Sequence, residues 1–169
     1  LHISPSTSTQ SASVVFSISS GSFRNSVTST LTKGVYNHVC VSLNKDDIKE
    51  NSLQFYLNEE LTSQSSKKVR IKKIDADDSD FLIGSGSSFY SENSLIVPTQ
   101  TFSGSIDELR IFHSTRDIKT QKLYASRGLY STPELKLYYR FNEPSGSLSL
   151  NGNTSTESIV LDSSGNSLH

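Results

Sequence analysis

The stretch GVYNHVCVSL, residues 34–43, has the alternating pattern of a β-strand and sets the class of the fold. Every second residue from Val35 to Leu43 falls on one face of such a strand, and four of these five residues are apolar. The opposite face begins with Tyr36 and His38. A strand with one face turned toward a core is therefore predicted here.

The next apolar run, SLQFYLNEELTS at residues 52–63, predicts a β-hairpin. Leu53, Phe55 and Leu57 lie on one face of its first strand, and the polar residues that follow are typical of a turn. A second strand then begins within the same stretch. Neighbouring strands with apolar faces indicate an antiparallel sheet.

The rest of the chain continues this pattern of short strands. The segment LKLYYRFNE, residues 135–143, alternates so that Leu135 and Tyr138 fall on opposite faces. One helix is predicted at IKTQKLYASR, with Asp117 as its N-cap and Gly128 at its end. Further strands are predicted at residues 13–19, 67–74, 80–88 and 101–114. Many short strands with a single helix predict an all-β fold, an antiparallel β-sandwich of the jelly-roll type with one short helix.

Length and charge limit the classes of protein to which the chain can belong. Its 169 residues suffice for one domain with a core and are too few for two complete domains of usual size. The net charge is −1 with both signs mixed, which argues against a nucleic-acid binder that needs a basic patch. No apolar run reaches the length of about 18 residues expected of a membrane helix, so membrane insertion is not expected.

Sulfur-containing residues are almost absent from the sequence. Cys40 is the single cysteine, so no disulfide can form within the chain, and its place in a β-type run favours a buried structural thiol. There is no methionine, which favours a processed product or a part of a longer protein. If the protein is exported, it must rely on packing, metals or neighbours for its stability.

Four motifs in sequence order resemble the concanavalin A-like lectin/glucanase superfamily, and within it the laminin-G-like jelly rolls. The motifs are GVYNHVCVSL, LQFYLNEELTS, FLIGSG and FSGSIDELRIFHSTRDI, and together they span roughly residues 34–128. The last motif is similar to the closing strand of that family. The resemblance implies a jelly-roll fold and a protein exposed outside the cell or on a virion.

The C-terminal part of the chain resembles the opening of such a domain. LKLYYRFNEPSG at residues 135–146 and LDSSGNSLH at residues 161–169 look like the family's opening motifs, yet here they follow the closing motif. The simplest interpretation is a tandem array. Residues 1–131 would then form most of one jelly roll without its N-terminal strands, and residues 132–169 would open a second. The alternative is a permuted single domain that the C-terminal strand completes, because chain termini often lie close together.

The sequence departs from the family pattern at two positions. Tyr36 stands where the family usually has tryptophan, which is a tolerable exchange of aromatic residues. Asn58 and Glu59 stand where Asn-Gly is usual. Because a type I′ turn prefers glycine, a hairpin loop longer than two residues is expected.

Asp107 and Glu108, in the motif that resembles the closing strand, are the first candidates for a catalytic pair. A glycosidase needs two carboxyl groups that face one sugar, whereas neighbouring residues on a strand point to opposite faces. The glucanase branch carries carboxylates two residues apart, and Ser105 and Leu109 occupy those positions here. No catalytic residue is therefore predicted. Asp107 is expected to bind backbone amides as a structural acid, and Glu108 to pair with Arg110 or a lysine.

Calcium is the one cofactor that the acidic residues suggest, because calcium prefers several carboxylate and carbonyl oxygens. The cluster DADDSD supplies Asp75, Asp77 and Asp80, and the second opening motif supplies Asp162. The cluster begins like a helix-loop-helix calcium loop but lacks its glycine and its final glutamate, so a solvated loop that caps the strand at FLIG is the favoured interpretation. Glu143, in the first opening motif, is predicted to be a structural acid in a turn.

The expected function is that of a non-catalytic jelly-roll module in structure, assembly or adhesion. Its partners would be other structural protein subunits or surface glycans, and neither nucleic acid nor a membrane. A carbohydrate-binding lectin-type module is the alternative, and a polysaccharide hydrolase is less favoured. The four histidines have no metal-ligand spacing, and neither a phosphate-binding glycine loop nor a nucleophile elbow is present.

Overall fold

In a computed structural model, the chain divides into two compact units. The first unit comprises Leu1–Ser103 and Arg116–Ser126, and the second comprises Gly104–Thr115 and Arg127–His169. The structure describes residues 1–4, 8–20, 23–45, 51–67, 88–91, 94–98, 102–143, 148–150, 153–155 and 160–165.

The described residues of the first unit form two three-stranded antiparallel sheets and a short hairpin. The first sheet, in the order β1-β2-β3, is formed by His2–Ile3, Ser11–Ser20 and Phe23–Thr32. The second sheet, in the order β4-β5-β6, is formed by Val39–Lys45, Asn51–Leu57 and Glu60–Lys67. The hairpin is formed by β7 at Phe89–Ser91 and β8 at Ser94–Ile96.

The core of the first unit lies between its two three-stranded sheets. Val14 and Val27 from the first sheet meet Leu53 and Phe55 from the second, and each is no more than 2% exposed. Burial of such side chains is worth roughly 1.5–3 kcal/mol each and is the main force that joins the sheets. Other apolar residues of the predicted faces pack against this cluster, namely Val39, Val41, Leu43 and Leu57.

The loop before β4 is where the predicted strand at residues 34–43 is wrong. The strand begins only at Val39, and Val35 and Tyr36 are exposed. The side chain of Asn37 explains the difference, because its Nδ2 donates to the carbonyl oxygen of Thr32 at 2.7 Å and so folds the segment into a loop. The alternation of apolar residues continued past the point where the backbone stops being extended.

The hairpin between β5 and β6 has a two-residue turn, so the longer loop expected from the sequence is wrong. Leu57 pairs with Glu60, and the two residues between them are both left-handed, Asn58 with φ 49° and Glu59 with φ 71°. This is the signature of a type I′ turn. Asn58 tolerates the conformation, and its Oδ1 accepts a hydrogen bond from the amide of His38 at 2.9 Å.

The predicted helix is confirmed as α1, Ile118–Tyr124, in the first unit. Asp117 is its N-cap, and its carboxylate accepts a hydrogen bond from the Thr120 amide at 2.8 Å. This bond is the first cause of a pKa of Asp117 below the usual value. The helix ends before the predicted stop at Gly128, since Ala125 is its C-cap.

The described residues of the second unit form two antiparallel strand pairs. β9 is Leu109–Phe112 and pairs with β10, Leu135–Tyr139. A separate hairpin joins β11, Leu148–Leu150, to β12, Asn153–Ser155. Of the long strand predicted at residues 101–114, the described residues form a strand only in β9, and Glu108, directly before it, has a left-handed backbone with φ 54°.

A β-bulge changes the face that β10 presents, compared with the prediction. Leu135 pairs with Phe112, but the next register partner on β10 is Leu137, so Lys136 is the extra residue. After this shift Leu135 and Tyr138 are both buried, whereas simple alternation placed them on opposite faces. Such a bulge leaves no clear mark in the sequence.

The predicted fold class is confirmed. The described strands pair antiparallel throughout, the two three-stranded sheets pack as a β-sandwich, and the described residues contain one short helix. The strands predicted at residues 67–74 and 80–88 fall almost entirely outside the described residues. Among the described residues, no helix is long and apolar enough to cross a membrane.

Candidate functional site

Glu108 is the centre of a charged cluster at the start of β9, in the second unit. Its Oε2 accepts hydrogen bonds from the guanidinium of Arg110 and from the hydroxyl of Tyr138. The Nε of Arg140 lies 3.8 Å from the other carboxylate oxygen. The left-handed backbone at Glu108, which is uncommon for a residue other than glycine, precedes the strand and positions this side chain.

Tyr138 joins this cluster to the buried part of the unit. It is 1% exposed and stands opposite Arg110 in the β9–β10 register. The guanidinium carbon of Arg110 lies 5.1 Å from the centroid of the Tyr138 ring, a cation–π geometry. Arg110 also donates from Nη2 to the carbonyl oxygen of Arg127 at 2.6 Å. One arginine therefore binds a carboxylate, an aromatic face and a loop carbonyl.

The surroundings of Glu108 keep its carboxylate ionised. Burial by itself would raise its pKa, but the hydrogen bonds from Tyr138 and Arg110 and the charges of Arg110 and Arg140 outweigh burial, so that the pKa is lowered. A carboxylate with a lowered pKa is a poor proton donor near neutral pH. Its Oε2 instead accepts hydrogen bonds from Arg110 on β9 and Tyr138 on β10.

Asp107 is placed differently from its neighbour. It is exposed, and among the described residues it makes no hydrogen bond or ion pair. The structure therefore does not bring Asp107 into the cluster around Glu108. Its role as a structural acid stays a prediction.

Asp162 fastens the segment that follows β12 to the second edge of β10. Its Oδ1 accepts the amides of Tyr138 and Ser164, both at 2.9 Å, and its Oδ2 accepts the Ser164 hydroxyl at 2.8 Å. The amide of Ser163 donates to the Tyr138 carbonyl at 2.8 Å, and Tyr139 forms an antiparallel bridge with Asp162. We call residues 160–165, held in this way, the Asp162 clip.

Glu143 supports the same attachment from the end of the β10 segment. Its Oε1 accepts a hydrogen bond from the amide of Leu161 at 3.1 Å. Glu143 and Asp162 each bind a backbone amide, which is the chemistry of acids that close turns.

The calcium prediction remains a prediction. Asp75, Asp77 and Asp80 lie outside the described residues. Among those that the structure does describe, no group of three or more His, Cys, Asp or Glu side chains could hold a metal ion. Asp162 is therefore not part of such a group within the described residues.

Cys40 is half-buried on β4 and is not joined to another cysteine. Burial raises the pKa of its thiol above the ordinary value, and the positive charge of Arg116 acts in the opposite direction. A thiol with a raised pKa is a weak nucleophile at neutral pH. The residue has the properties of a structural thiol.

Comparison with protein families gives one match. The family model described as the concanavalin A-like lectin/glucanases superfamily, a laminin-G type, matches residues 3–119. The chain belongs to this superfamily. Comparison with curated proteins and with solved structures gives no match.

Within the superfamily match, the closing strand lacks the glucanase arrangement of carboxylates. The matched region contains β9 and ends before β10 begins at Leu135. The positions two residues from Asp107 are Ser105 and Leu109, and neither carries a carboxylate. Within the cluster around Glu108, the sequence spacing predicts one contact, the pairing of Glu108 with Arg110 two residues away. Tyr138 could not be found in this way, because its place depends on which strand pairs with β9.

Proposed function

We propose that the chain acts as a non-catalytic jelly-roll module of an exposed protein, in structure, assembly or adhesion. It would work on a cell surface, outside the cell or on a virion, with other protein subunits or surface glycans as partners. Membership of the concanavalin A-like superfamily supports a module of this type. The engagement of Glu108 by Arg110 and Tyr138 is the observation that carries the proposal.

The chemistry of glycoside cleavage explains why these contacts of Glu108 favour a non-catalytic module. A glycosidase needs one carboxyl group that donates a proton and a second that faces the same sugar. The two carboxyl groups lie about 5 Å apart in retaining enzymes and about 6.5–9.5 Å apart in inverting enzymes. Glu108 has a lowered pKa and binds two neighbouring side chains, so it is unsuited to donate a proton. Asp107 is exposed and outside this cluster, so the two acids do not form such a pair.

Hydrolysis of polysaccharides tests the proposal. The purified chain is incubated with a panel of neutral and acidic polysaccharides, and the release of reducing ends is measured against a heat-denatured sample. We expect no release above that control. Release that rises in proportion to the concentration of folded chain would contradict the proposal, and loss of that release in Asp107→Asn or Glu108→Gln would identify the carboxylate responsible.

A lectin-type module is the second candidate, favoured by two exposed aromatic side chains. Tyr36 in the first unit is 75% exposed, and Tyr130 in the second is 92% exposed. Exposed aromatic rings with a polar end suit contact with ligands that are partly apolar and partly polar, such as sugars. Saturable binding to a glycan array that is lost in Tyr36→Ala or Tyr130→Ala would favour this candidate over a purely structural module.

A further inference from the structure

One end of the first unit exposes two neighbouring apolar side chains. Val35 is 61% exposed and Tyr36 is 75% exposed, in the loop between β3 and β4. We propose that residues 33–36 of this loop and residues 59–60 beside it form an interaction surface, the Tyr36 surface, that binds a second copy of this chain. The inference rests on the assembly role proposed above and names a partner for it.

The loop is held in place by the side chain of Asn37. Its Nδ2 donates to the carbonyl oxygens of Thr32 and Val35, at 2.7 Å and 3.1 Å, and its Oδ1 accepts the Thr32 amide at 3.3 Å. Gly34 supplies a left-handed backbone, with φ 79°, within the same loop. A loop that is ordered before binding loses little conformational entropy on binding, so these contacts prepare Tyr36 for a partner.

Two further segments are tied to this loop by hydrogen bonds. The amide of Lys33 donates to the Gln10 carbonyl at 2.8 Å, which joins the loop to the segment before β2. The His38 amide donates to Asn58 Oδ1 at 2.9 Å, and the Asn58 amide donates to the His38 carbonyl at 2.8 Å. The β5–β6 turn with Glu59 therefore lies beside the loop, within the same surface.

The chemistry of the Tyr36 surface favours a protein partner over a sugar. A sugar site needs polar groups that bind hydroxyls beside the aromatic ring. Here the Asn37 side chain is used within the loop, and Asn58 Oδ1 is bound to the His38 amide. The loop therefore presents mainly the apolar surface of Val35 and Tyr36. Exposed tyrosine is typical of the residues that dominate protein–protein interfaces.

The charges around the apolar pair make the surface self-complementary. Lys33 follows β3 of the first sheet and is exposed, whereas Glu60 begins β6 of the second sheet and is exposed, next to Glu59. Within the part of the chain that the structure describes, neither glutamate forms an ion pair. In a twofold dimer the same patch meets itself, so Lys33 of each copy faces the glutamates of the other. The net charge of −1 adds little repulsion between copies.

The small size of the Tyr36 surface determines the affinity that we expect. A standard stable interface has roughly 20–30 residues on each side, far more than residues 33–36 and 59–60 supply. A weak and reversible dimer is therefore expected for the chain in solution. Many copies held in one assembly would strengthen such a contact, because binding then occurs at a high effective concentration.

Sedimentation velocity of the purified chain tests the proposal. We expect monomers at low micromolar concentration and a dimer fraction that grows as the concentration rises toward millimolar. Tyr36→Ala should raise the dissociation constant by about tenfold or more, because the ring is the largest contact group of the surface. Tyr130→Ala removes an exposed ring from the second unit and is the matched control, which should leave the dimer unchanged. A chain that stays monomeric throughout, or equal effects of the two variants, would overturn the proposal.

Exchange of the charges tests whether the surface meets itself. Lys33→Glu and Glu60→Lys should each weaken the dimer when studied alone, because like charges then face each other. An equimolar mixture of the two variants should dimerise about as tightly as the wild type, because opposite charges are paired again. A mixture that dimerises no better than either variant alone would count against a twofold contact at this surface and overturn the proposal.

A glycan array distinguishes the other occupant of the same surface. Saturable glycan binding by a chain that stays monomeric, lost in Tyr36→Ala, would overturn the dimer and support the lectin-type candidate. Failure of dimerisation without glycan binding would overturn the Tyr36 surface alone. The non-catalytic role would still be judged separately, by the release of reducing ends from polysaccharides.

Discussion

At the scale of single residues, the second unit depends on side chains that lie 30 positions apart in the sequence. Glu108 and Tyr138 meet because β9 and β10 pair, and Arg110 bridges them. A partly buried carboxylate with a hydroxyl and a guanidinium as donors forms charge-assisted hydrogen bonds, which are stronger than neutral ones. The contribution of this cluster to the free energy of unfolding should therefore depend on pH.

The pH dependence can be predicted from the direction of the pKa shift of Glu108. Its folded pKa is lowered, so the ionised form favours the folded state. This contribution is fully present above the unfolded pKa of about 4.3 and is lost as the pH falls through the folded pKa. We expect Glu108→Gln to reduce the free energy of unfolding at pH 7 by on the order of 1 kcal/mol and to have a smaller effect at the acid end.

Urea denaturation between pH 3 and pH 7 measures this difference between wild type and variant. Asp107→Asn is the matched control, because Asp107 is exposed and outside the cluster. The control should change stability little at any pH. A wild-type advantage over Glu108→Gln that grows toward low pH would contradict the assigned role.

Gly165 is the residue of the Asp162 clip at which a side chain should be least tolerated. Its φ is +77°, and an added Cβ would lie 2.5 Å from the Ser131 Oγ. We expect Gly165→Ala to lower the free energy of unfolding by about 1–3 kcal/mol. The control is Gly128→Ala, whose Cβ would lie 3.9 Å from the Tyr138 hydroxyl, an ordinary contact. Equal shifts of the urea midpoint in the two variants would contradict this account of the clip.

At the scale of elements, the β5–β6 hairpin shows that pairing can impose a turn on an unsuitable residue. Glu59 has φ 71° between strands whose register leaves room for only two turn residues. A left-handed backbone costs an L-residue roughly 1–2 kcal/mol compared with glycine. The packed faces of Leu53 and Phe55 fix the register and outweigh this cost.

Substitution of the turn residue should therefore stabilise the hairpin. Glu59→Gly removes the left-handed strain but increases the entropy of the unfolded chain, for a net gain of about 0.5–1 kcal/mol. Glu60→Gly, one position along at the first residue of β6, should instead destabilise by about 0.5–1 kcal/mol. Thermal unfolding of both variants measures the two effects, and a lower midpoint for Glu59→Gly would be evidence against the type I′ turn.

Alternation predicted those strands whose inward faces are apolar throughout. The inward residues of β4 and β5 pack against the core as expected. β3 was not predicted, because its inward face carries polar residues beside Val27: Asn25 is 1% exposed and Ser29 is 9% exposed. Asn25 donates from Nδ2 to the Ser65 carbonyl at 3.5 Å, a long-range contact that the local sequence does not indicate.

The candidate site was predictable only in its local part. Strand spacing indicated that Glu108 could meet Arg110, two residues away. The left-handed backbone of Glu108, the bulge at Lys136 and the pairing that brings Tyr138 to the cluster depend on tertiary contacts. Sequence order could not choose between a tandem array and a completed single module, because both contain the same motifs.

At the scale of the whole molecule, stability should rest on the small core of the first unit. Phe55 is 0% exposed within that core, and Phe→Ala substitutions in cores cost about 3–5 kcal/mol. Domains have only about 5–15 kcal/mol in total, so Phe55→Ala should remove a large fraction of the free energy of unfolding and lower the urea midpoint. Tyr36→Ala, at an exposed aromatic residue, is the control and should leave the urea midpoint nearly unchanged. Similar midpoints for the two variants would contradict the assigned core.

Glu108, at the start of β9, is assigned the structural role of holding β9 and β10 together through Tyr138. A double-mutant cycle of Glu108→Gln and Tyr138→Phe, measured by urea denaturation at pH 7, tests it most directly because the two side chains share one hydrogen bond. We predict a coupling energy of about 1 kcal/mol between the two substitutions. Additive effects, with a coupling indistinguishable from zero, would contradict the claim.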